Sequence, residues 1–288
     1  MWVVYALFSA FFAGITAILA KIGIRDTDSH LATALRTIVV LFFAWLMVFA
    51  VGSQDTIVDI KPYSMIFLLL SGISTGASWI CYFKALQLGD VNKVVPIDKL
   101  STVLTMLLAF LFLGESITFN KIVGMCAILT GTFMMIKKET TKVNSKSNYK
   151  WFFYACFSAI FASMTSILGK IGIQDIESNL GTAIRTVVVL IMAWAIVLAQ
   201  GKQRDISKID KKSWVFILLS GITTGLSWLF YYSALKYGQA SIVVPIDKLS
   251  VVVTTFFAHT FLKEKLSKKT IIGLSAIVIG TILLIVKH

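Results

Sequence analysis

Charged residues are scarce in this chain of 288 residues, and so are proline and cysteine. Charged side chains make up 14% of the residues and hydrophobic ones 57%, whereas soluble domains carry about 25% charged residues. This shortage of charged residues argues against an ordinary soluble domain. Apolar segments of about 20 residues also recur with only short polar gaps, and segments of that length can cross a bilayer. The 3 cysteines form no CxxC motif and are too few for a disulfide framework.

Several kinds of chemistry lack the residues that they require. His30, His259 and His288 do not cluster in the sequence, so we expect no metal site. No phosphate-binding glycine loop occurs, so we expect neither ATP hydrolysis within this chain nor a cofactor. The net charge of +13 does not indicate a nucleic-acid partner here, because the excess lies in loops beside apolar segments. We therefore expect a protein that is not an enzyme and that has the lipid bilayer as a partner.

Ten apolar stretches are long enough to cross the bilayer as helices. Because nearly every stretch is apolar on all faces, the pattern predicts an all-α integral membrane protein. We expect the first stretch to be a span and not a signal peptide, since no basic residue precedes it and its counterpart recurs mid-chain. The predicted spans are Trp2–Ile24, Leu31–Val51, Tyr63–Leu86, Lys93–Leu113, Lys121–Ile136, Trp151–Ile173, Leu180–Gln200, Ser213–Lys236, Ser241–Leu262 and Thr270–Val286.

The second half of the chain repeats the first without a gap. The motif PIDKLS occurs at Pro96–Ser101 and again at Pro245–Ser250. We place the two five-helix repeats at 1–136 and 151–288, joined by a polar, lysine-rich linker at 137–150. Because five spans begin and end on opposite sides, the second repeat is predicted to be inverted relative to the first. Inverted repeats of this kind favour a secondary transporter with its site at the repeat interface.

The order of motifs in each half resembles the EamA-type domain of the drug/metabolite transporter superfamily. Each half closes on a family-like segment, LFLGESITFNKIVGMCAILTGTFM in the first and TFLKEKLSKKTIIGLSAIVIGTIL in the second, where Lys263 replaces the usual Gly. The resemblance implies ten helices and alternating-access transport of a small organic solute, with helices 5 and 10 at the periphery. The other matching residues are a Lys ending helix 1, an Arg early in helix 2 and a Pro opening helix 4: Lys21, Lys170, Arg36, Arg185, Pro96 and Pro245.

Charged residues inside the spans are the first candidates for function, because such charges are rare in lipid and usually face the protein interior. Equal depths predict that Arg36 pairs with Asp98, and Arg185 with Asp247, as gates at opposite ends of a less charged middle. Purely structural pairing, with lysines that snorkel to the headgroups, is the simpler alternative. The predicted charged rings consist of Lys21, Arg36, Asp98, Lys99, Lys170, Arg185, Asp247 and Lys248. The carboxylates considered for proton coupling are Asp98, Asp247, Glu115 and Glu264.

Small and weakly polar residues occupy the predicted middle of the membrane. The segments Ser71–Trp79 and Ser220–Trp228 carry GxxxG spacing, which indicates either tight helix packing or room for a solute. Pro96 and Pro245 are expected in the first turn of their helices, where proline is well tolerated. The predicted substrate cavity contains Tyr5, Ser9, Thr16, Thr75, Trp79, Tyr82, Tyr154, Ser158, Thr165, Thr224, Trp228 and Tyr231.

These features predict a secondary transporter of a small polar or amphipathic metabolite, such as an amino acid or a drug-like compound. Cations outnumber anions inside the spans, which favours a zwitterionic or anionic solute over a lipophilic cation. A flippase for a lipid-linked headgroup is the closest alternative. A membrane-embedded transferase is less favoured, because it would need a carboxylate or metal cluster at the membrane surface. The sequence leaves open whether a proton or another ion is coupled, and whether the chain forms a homodimer.

Lysine and arginine are distributed unevenly between the two sides of the membrane. They concentrate in the linker and in the loops after helices 7 and 9, all of which lie opposite the termini. The positive-inside rule therefore predicts a plasma-membrane protein with a cytoplasmic linker and both termini outside. Members of the EamA-type family usually place both termini in the cytoplasm, so this prediction opposes the family habit.

Overall fold

The structure, a computed structural model, describes residues 1–23, 27–88, 94, 97–135, 149–262 and 266–286. These residues form helices and connecting turns, and none of them lies in a strand. The helices are α1 (Trp2–Gly23), α2 (Ser29–Val51), α3 (Pro62–Leu88), α4 (Ser101–Phe112), α5 (Phe119–Met135), α6 (Lys150–Gly172), α7 (Ser178–Ala199), α8 (Lys211–Tyr237), α9 (Ala240–Asp247), α10 (Ser250–Leu262) and α11 (Lys268–Ile285).

The helices have the length and composition of membrane spans. Within the described residues, eight are long and apolar enough to cross a bilayer when α9 and α10 are taken as one span, and Phe119–Met135 is a shorter apolar helix. Large apolar side chains such as Phe42, Leu111 and Phe256 are exposed on the outside of the bundle, as lipid-facing residues would be. The chain is therefore an all-helical, multi-pass membrane protein. The number of ten spans and the boundaries of the repeats and linker stay predictions.

Short polar side chains fix where several helices begin. Asp28 accepts hydrogen bonds from the amides of His30 and Leu31 and so caps α2. Asp210 caps α8 in the same way, through the amides of Lys212 and Ser213. These caps supply partners for amides that have none within the helix, which matters most where little water is available.

Helices of the first half pack mainly against helices of the second half. The main contacts join α3 to α6, α1 to α8, α2 to α7 and α5 to α11. Each contact has a counterpart under the repeat, since α1 corresponds to α6 and α3 to α8. Within the pair of α5 and α11, a Cβ atom built on Gly131 would lie 2.5 Å from the carbonyl oxygen of Gly273, so these backbones touch directly. The interior of the bundle thus lies between the halves.

The span that contains the second PIDKLS motif is broken in its middle. Helix α9 ends at Asp247 and α10 begins at Ser250. The prediction that Pro245 lies in the first turn is wrong, because the helix already begins at Ala240 and Pro245 lies near its end. Proline lacks the amide that would continue the α-helical bonding. The turn that follows uses shorter-range bonds, including one of 3.1 Å from the Lys248 amide to the Pro245 carbonyl. Pro96 falls outside the described residues.

The two ends of the bundle differ in charge. The terminal end is where α1 begins and where Lys61 and Asp175 form an ion pair of 3.0 Å. The linker end is where α2 begins and where Lys202 approaches Asp28 at 3.9 Å. Most of the described basic residues outside the spans lie at the linker end: Lys150, Lys202, Arg204, Lys208, Lys211, Lys212, Lys268 and Lys269.

Candidate functional site

A cavity of about 330 Å³ lies between the two halves, near the middle of the spans. This volume is at the lower end of the range for small-molecule pockets. Its wall combines aromatic rings, hydroxyl groups and charged side chains from α1, α3, α6, α7 and α8 and from the break after α9. The lining residues are Ala13, Thr75, Ser78, Trp79, Ala162, Thr165, Arg185, Ser227, Trp228, Tyr231, Tyr232, Asp247 and Lys248.

Arg185 is the charged residue most deeply buried in this wall, with 1% of its surface exposed. Its Nη2 donates to Thr75 Oγ1 at 2.8 Å, and its Nε donates to Ser71 Oγ at 3.4 Å. The rings of Trp228 and Tyr232 have their centres 5.1 Å and 4.5 Å from its Cζ atom, within the range of cation–π attraction. Hydroxyls of one half and aromatic rings of the other therefore hold a single guanidinium.

The predicted ion pair between Arg185 and Asp247 is not formed, although both residues line the cavity. Asp247 instead accepts a hydrogen bond of 2.6 Å from Ser9 Oγ. The Ser9 carbonyl accepts from Ser227 Oγ at 3.1 Å. The reason is the direction of the side chains around their helices: α7 packs against α3, so Arg185 faces the hydroxyls there. The similar depth of Arg185 and Asp247 in the membrane was therefore not sufficient to predict that they form an ion pair.

The first half repeats this arrangement. Asp98 accepts a hydrogen bond of 2.9 Å from Ser158 Oγ, and the Ser158 carbonyl accepts from Ser78 Oγ at 3.1 Å. The predicted partner Arg36 forms no salt bridge among the described residues, while Lys99 approaches Asp98 at 3.9 Å. We call the two sets serine–aspartate clusters. Each joins side chains from both halves: Ser78, Asp98 and Ser158 in one, and Ser9, Ser227 and Asp247 in the other.

The two PIDKLS motifs lie near one another and not at opposite faces of the membrane. Helix α9, which contains Pro245 and Asp247, packs against α4, which begins directly after Asp98, Lys99 and Leu100. The prediction of two separated charged rings is therefore wrong for the lysines of the two motifs. It treated each span as a continuous helix, whereas the second motif, Pro245–Ser250, stands at a break.

The glycines of α3 and α8 serve helix packing. A Cβ atom on Gly76 would lie 2.5 Å from Met192 Cβ, and one on Gly221 would lie 2.6 Å from Val39 Cβ. Such distances leave no space for a side chain. The glycine faces therefore bring α3 against α7 and α8 against α2, and they leave no room there for a solute.

The turn between α8 and α9, at the terminal end, is held by charged residues. Lys170 donates to the carbonyl oxygens of Leu235, at 2.9 Å, and Gly238 at the end of α8. Glu115 accepts from the amides of Ala240 and Ser241, at 2.6 Å and 2.9 Å, and so caps α9. These bonds satisfy helix ends that lie in or near lipid. The counterpart Glu264 lies outside the described residues.

The predicted cavity residues fall into two groups. Thr75, Trp79, Thr165, Trp228 and Tyr231 line the cavity. The others lie elsewhere: Ser9 and Ser158 are in the serine–aspartate clusters, Tyr5 stacks on Phe230, Thr16 donates to Thr223, Thr224 donates to the Ser220 carbonyl, and Tyr82 and Tyr154 pack around Ala85. Lys21, which was predicted as a member of a charged ring, is exposed.

Five lining residues were missed by sequence reasoning. Each lies about one helical turn from a predicted one, as Ser78 does from Thr75 and Tyr232 from Trp228, so helical periodicity could have found them. The missed residues are Ala13, Ser78, Ala162, Ser227 and Tyr232.

A polar cavity inside a bundle of apolar spans, beside a broken helix, is typical of membrane transporters. The model of the EamA-like transporter family matches residues 1–137 and 149–286. The chain therefore belongs to the EamA-like transporter family, and the resemblance inferred from the motifs is confirmed.

Individual relatives agree with this assignment. A protein described as an "Uncharacterized transporter in cobO 3'region", from a Sinorhizobium species, is 45% identical over 136 residues, which are 47% of this chain and 96% of the relative. An uncharacterized transporter of Archaeoglobus fulgidus is 20% identical over 266 residues, covering 91% of this chain and 90% of that one. One crystal structure matches 96% of this chain and 94% of its own with a TM-score of 0.78 and 17% identity, which shows a shared fold.

The serine–aspartate cluster around Asp98 predicts a specific energetic coupling. Ser158→Ala and Asp98→Asn should be non-additive in the free energy of unfolding, by about 0.5–3 kcal/mol, because the first removes the donor of this hydrogen bond and the second removes the charge of its acceptor. The measurement is a double-mutant cycle by unfolding in mixed detergent micelles.

A second cycle supplies the control. Arg36→Gln and Asp98→Asn should add to within about 0.5 kcal/mol, since the structure forms no ion pair between them. A coupled Arg36 cycle together with an additive Ser158 cycle would restore the original pairing and contradict the structure.

Proposed function

We propose that this protein is a secondary transporter that moves a small polar or amphipathic metabolite by alternating access between two inverted halves. The observation that carries the proposal is the cavity of about 330 Å³ lined by helices of both halves. The reciprocal helix contacts support two equivalent units. In such folds the site lies at the repeat interface, and broken helices supply polar groups to it.

Alternating access requires that the two ends of the bundle close in turn. At the terminal end, Lys170 and Glu115 bind the two helix ends that flank the turn between α8 and α9. We take these bonds to be the closure of that end. Their counterparts under the repeat are Lys21, which lies at the linker end, and Glu264, which lies outside the described residues. We propose that the linker end closes in the other state.

Proton coupling, if the transport uses it, is placed at the serine–aspartate clusters. Asp98 and Asp247 each accept a hydroxyl hydrogen bond between the halves. A protonated carboxyl group would become a donor there and change the contact between the halves. Glu115 is a weaker candidate, because the amides of α9 already occupy its oxygens.

The charge of the cavity favours an anionic or zwitterionic substrate. Among the described residues, its lining contains the basic residues Arg185 and Lys248 and one acidic residue, Asp247. A lipophilic cation would meet a net positive wall, and transfer of a charge into such a site is costly without a counter-charge. We therefore place small organic acids and amino acids ahead of quaternary ammonium compounds.

Flux in proteoliposomes tests the function and the preferred charge together. Purified protein should accelerate exchange of a radiolabelled amino acid or organic acid, and unlabelled anionic or zwitterionic solutes should compete. Empty liposomes and liposomes with an unrelated membrane protein are the controls. Competition by quaternary ammonium compounds alone would reverse the preference, and movement of labelled lipid headgroups alone would favour a flippase.

We further propose a plasma-membrane orientation with the linker end in the cytoplasm. The described basic residues gather at that end, including Lys202, Arg204 and Lys208 of the loop after α7. Basic loops are retained on the cytoplasmic side during insertion. Both termini would then lie outside the cell.

Cysteine labelling on intact cells tests this orientation. Cys81, Cys126 and Cys156 are replaced, and Ser145 of the linker, which lies outside the described residues, becomes the single cysteine. An impermeant thiol reagent should label it only after permeabilisation. A matched variant with Thr56→Cys, at the terminal end, should label without permeabilisation; the opposite pattern would place the termini in the cytoplasm.

A further inference from the structure

One nitrogen of the buried arginine in the cavity wall has no partner. Arg185 Nη1 is enclosed and makes no hydrogen bond among the described residues, although Nη2 and Nε are both bonded. A buried guanidinium with an unused donor is costly, because neither water nor a counter-charge compensates it. Something that enters the cavity with a negative charge would remove this cost.

We propose that Arg185 is the carboxylate-binding residue of the cavity, and that the substrate carries a carboxylate on a small apolar or aromatic body. This inference rests on the proposed transport function. Guanidinium donors lie in one plane and match the two oxygens of a carboxylate. The tryptophans Trp79 and Trp228, which also line the cavity, provide the apolar surface for the rest of the molecule.

The net charge of the cavity wall favours a singly charged anion over a doubly charged one. Arg185 and Lys248 are partly balanced by Asp247, which leaves a net charge of about one positive unit. That balance suits a monocarboxylate better than a phosphate dianion. An amino acid shares the same carboxylate and would offer its ammonium group to Asp247. The test therefore includes both a simple monocarboxylate and an amino acid.

Among the described residues, this site is formed around Arg185 and not around its counterpart in the first half. Arg36 is the counterpart of Arg185, but it does not belong to the described lining of the cavity. Among the described residues, the corresponding hydroxyls accept no hydrogen bond from Arg36: Ser220 donates to the Ile217 carbonyl and Thr224 to the Ser220 carbonyl. Phe83 stands where the second half has Tyr232. A substrate would therefore bind in one orientation, in spite of the repeat.

Because Arg36 is the repeat counterpart of Arg185, a variant of Arg36 serves as the matched control for a variant of Arg185. Arg185→Gln removes the proposed ligand to the carboxylate, whereas Arg36→Gln removes an equal charge at the equivalent position. Arg185→Lys keeps the charge but loses the planar pair of donors. Comparison of the three variants separates a specific contact from the general positive field of the protein.

The experiment measures binding to the full-length protein in detergent by ligand-induced thermal stabilisation. The probes are 3-phenylpropionate, L-phenylalanine, the uncharged 3-phenylpropionamide and the cationic 3-phenylpropylamine. Both carboxylates should bind at least about tenfold more tightly than the amide, since hydrogen bonds to charged groups are the stronger ones. Arg185→Gln should abolish this discrimination, and Arg36→Gln should retain it.

Arg185→Lys keeps the test decisive if the glutamine variant does not fold. It should bind the carboxylates more weakly than the wild type while still preferring them to the amide. The proposal is overturned if the wild type binds the amide or the amine as well as the carboxylates, or binds none of the four. It is also overturned if Arg36→Gln loses the discrimination.

Flux measurements separate this inference from the proposed function. Carboxylate binding that depends on Arg185 but is accompanied by no flux in proteoliposomes would uphold the site and refute transport. Flux of an amine or neutral solute that Arg185→Gln leaves unchanged would uphold transport and refute the site. Stabilisation by 3-phenylpropionate but not by L-phenylalanine would assign the site to organic acids, and the site itself would stand.

Discussion

Inside a bilayer, a polar group has no water to bond, so it must find its partner within the protein. That constraint organises the interior of this bundle. The hydroxyls of Ser9, Ser78 and Ser158 bond to groups of the opposite half, and so does the guanidinium of Arg185. Polar contacts therefore hold the halves together at the points where a transporter must also let them move. Close contacts between the glycines of α5 and α11 also join the halves, without a polar side chain.

Because of the same constraint, a buried polar group without a partner and a broken helix inside the membrane are exceptions that need an explanation. Only a few buried side-chain atoms of the described residues lack a partner, and Arg185 Nη1 is the one that belongs to a charged group. At the break after α9, the charged residues Asp247 and Lys248 line the same cavity. Irregular backbone at this depth is tolerated where it lines a cavity and not where it faces lipid. Both exceptions occur at the same place, which is why the cavity is the functional candidate.

The duplicated architecture also agrees with the relatives. The Sinorhizobium protein is matched over 96% of its length by 47% of this chain, so it is about half as long. A single unit of that size corresponds to one of the two segments that match the family. In this chain the two units have diverged around their arginines, as the difference between Phe83 and Tyr232 shows. Duplication would allow such specialisation, because each copy can change separately.

The sequence predicted the helical class, the repeat and the family, because these depend on hydropathy and on the order of motifs. It also placed Arg185 and Asp247 near one another in the membrane, and Thr165 in the cavity. It did not predict which of them touch, since depth along a span says nothing about the direction of a side chain around the helix. The break after Pro245 was missed because the whole span was treated as one continuous helix.

The most direct test of the central claim is the access of reagents to the cavity from each side of the membrane. Ala162→Cys, in a protein without its other cysteines, places a thiol in the cavity wall. Alternating access predicts that impermeant reagents label it from both sides, and that Glu115→Gln raises the rate from the terminal end while lowering it from the linker end. Rates that rise together at both ends, or labelling from one side in both variants, would contradict a cavity that opens to each side in turn.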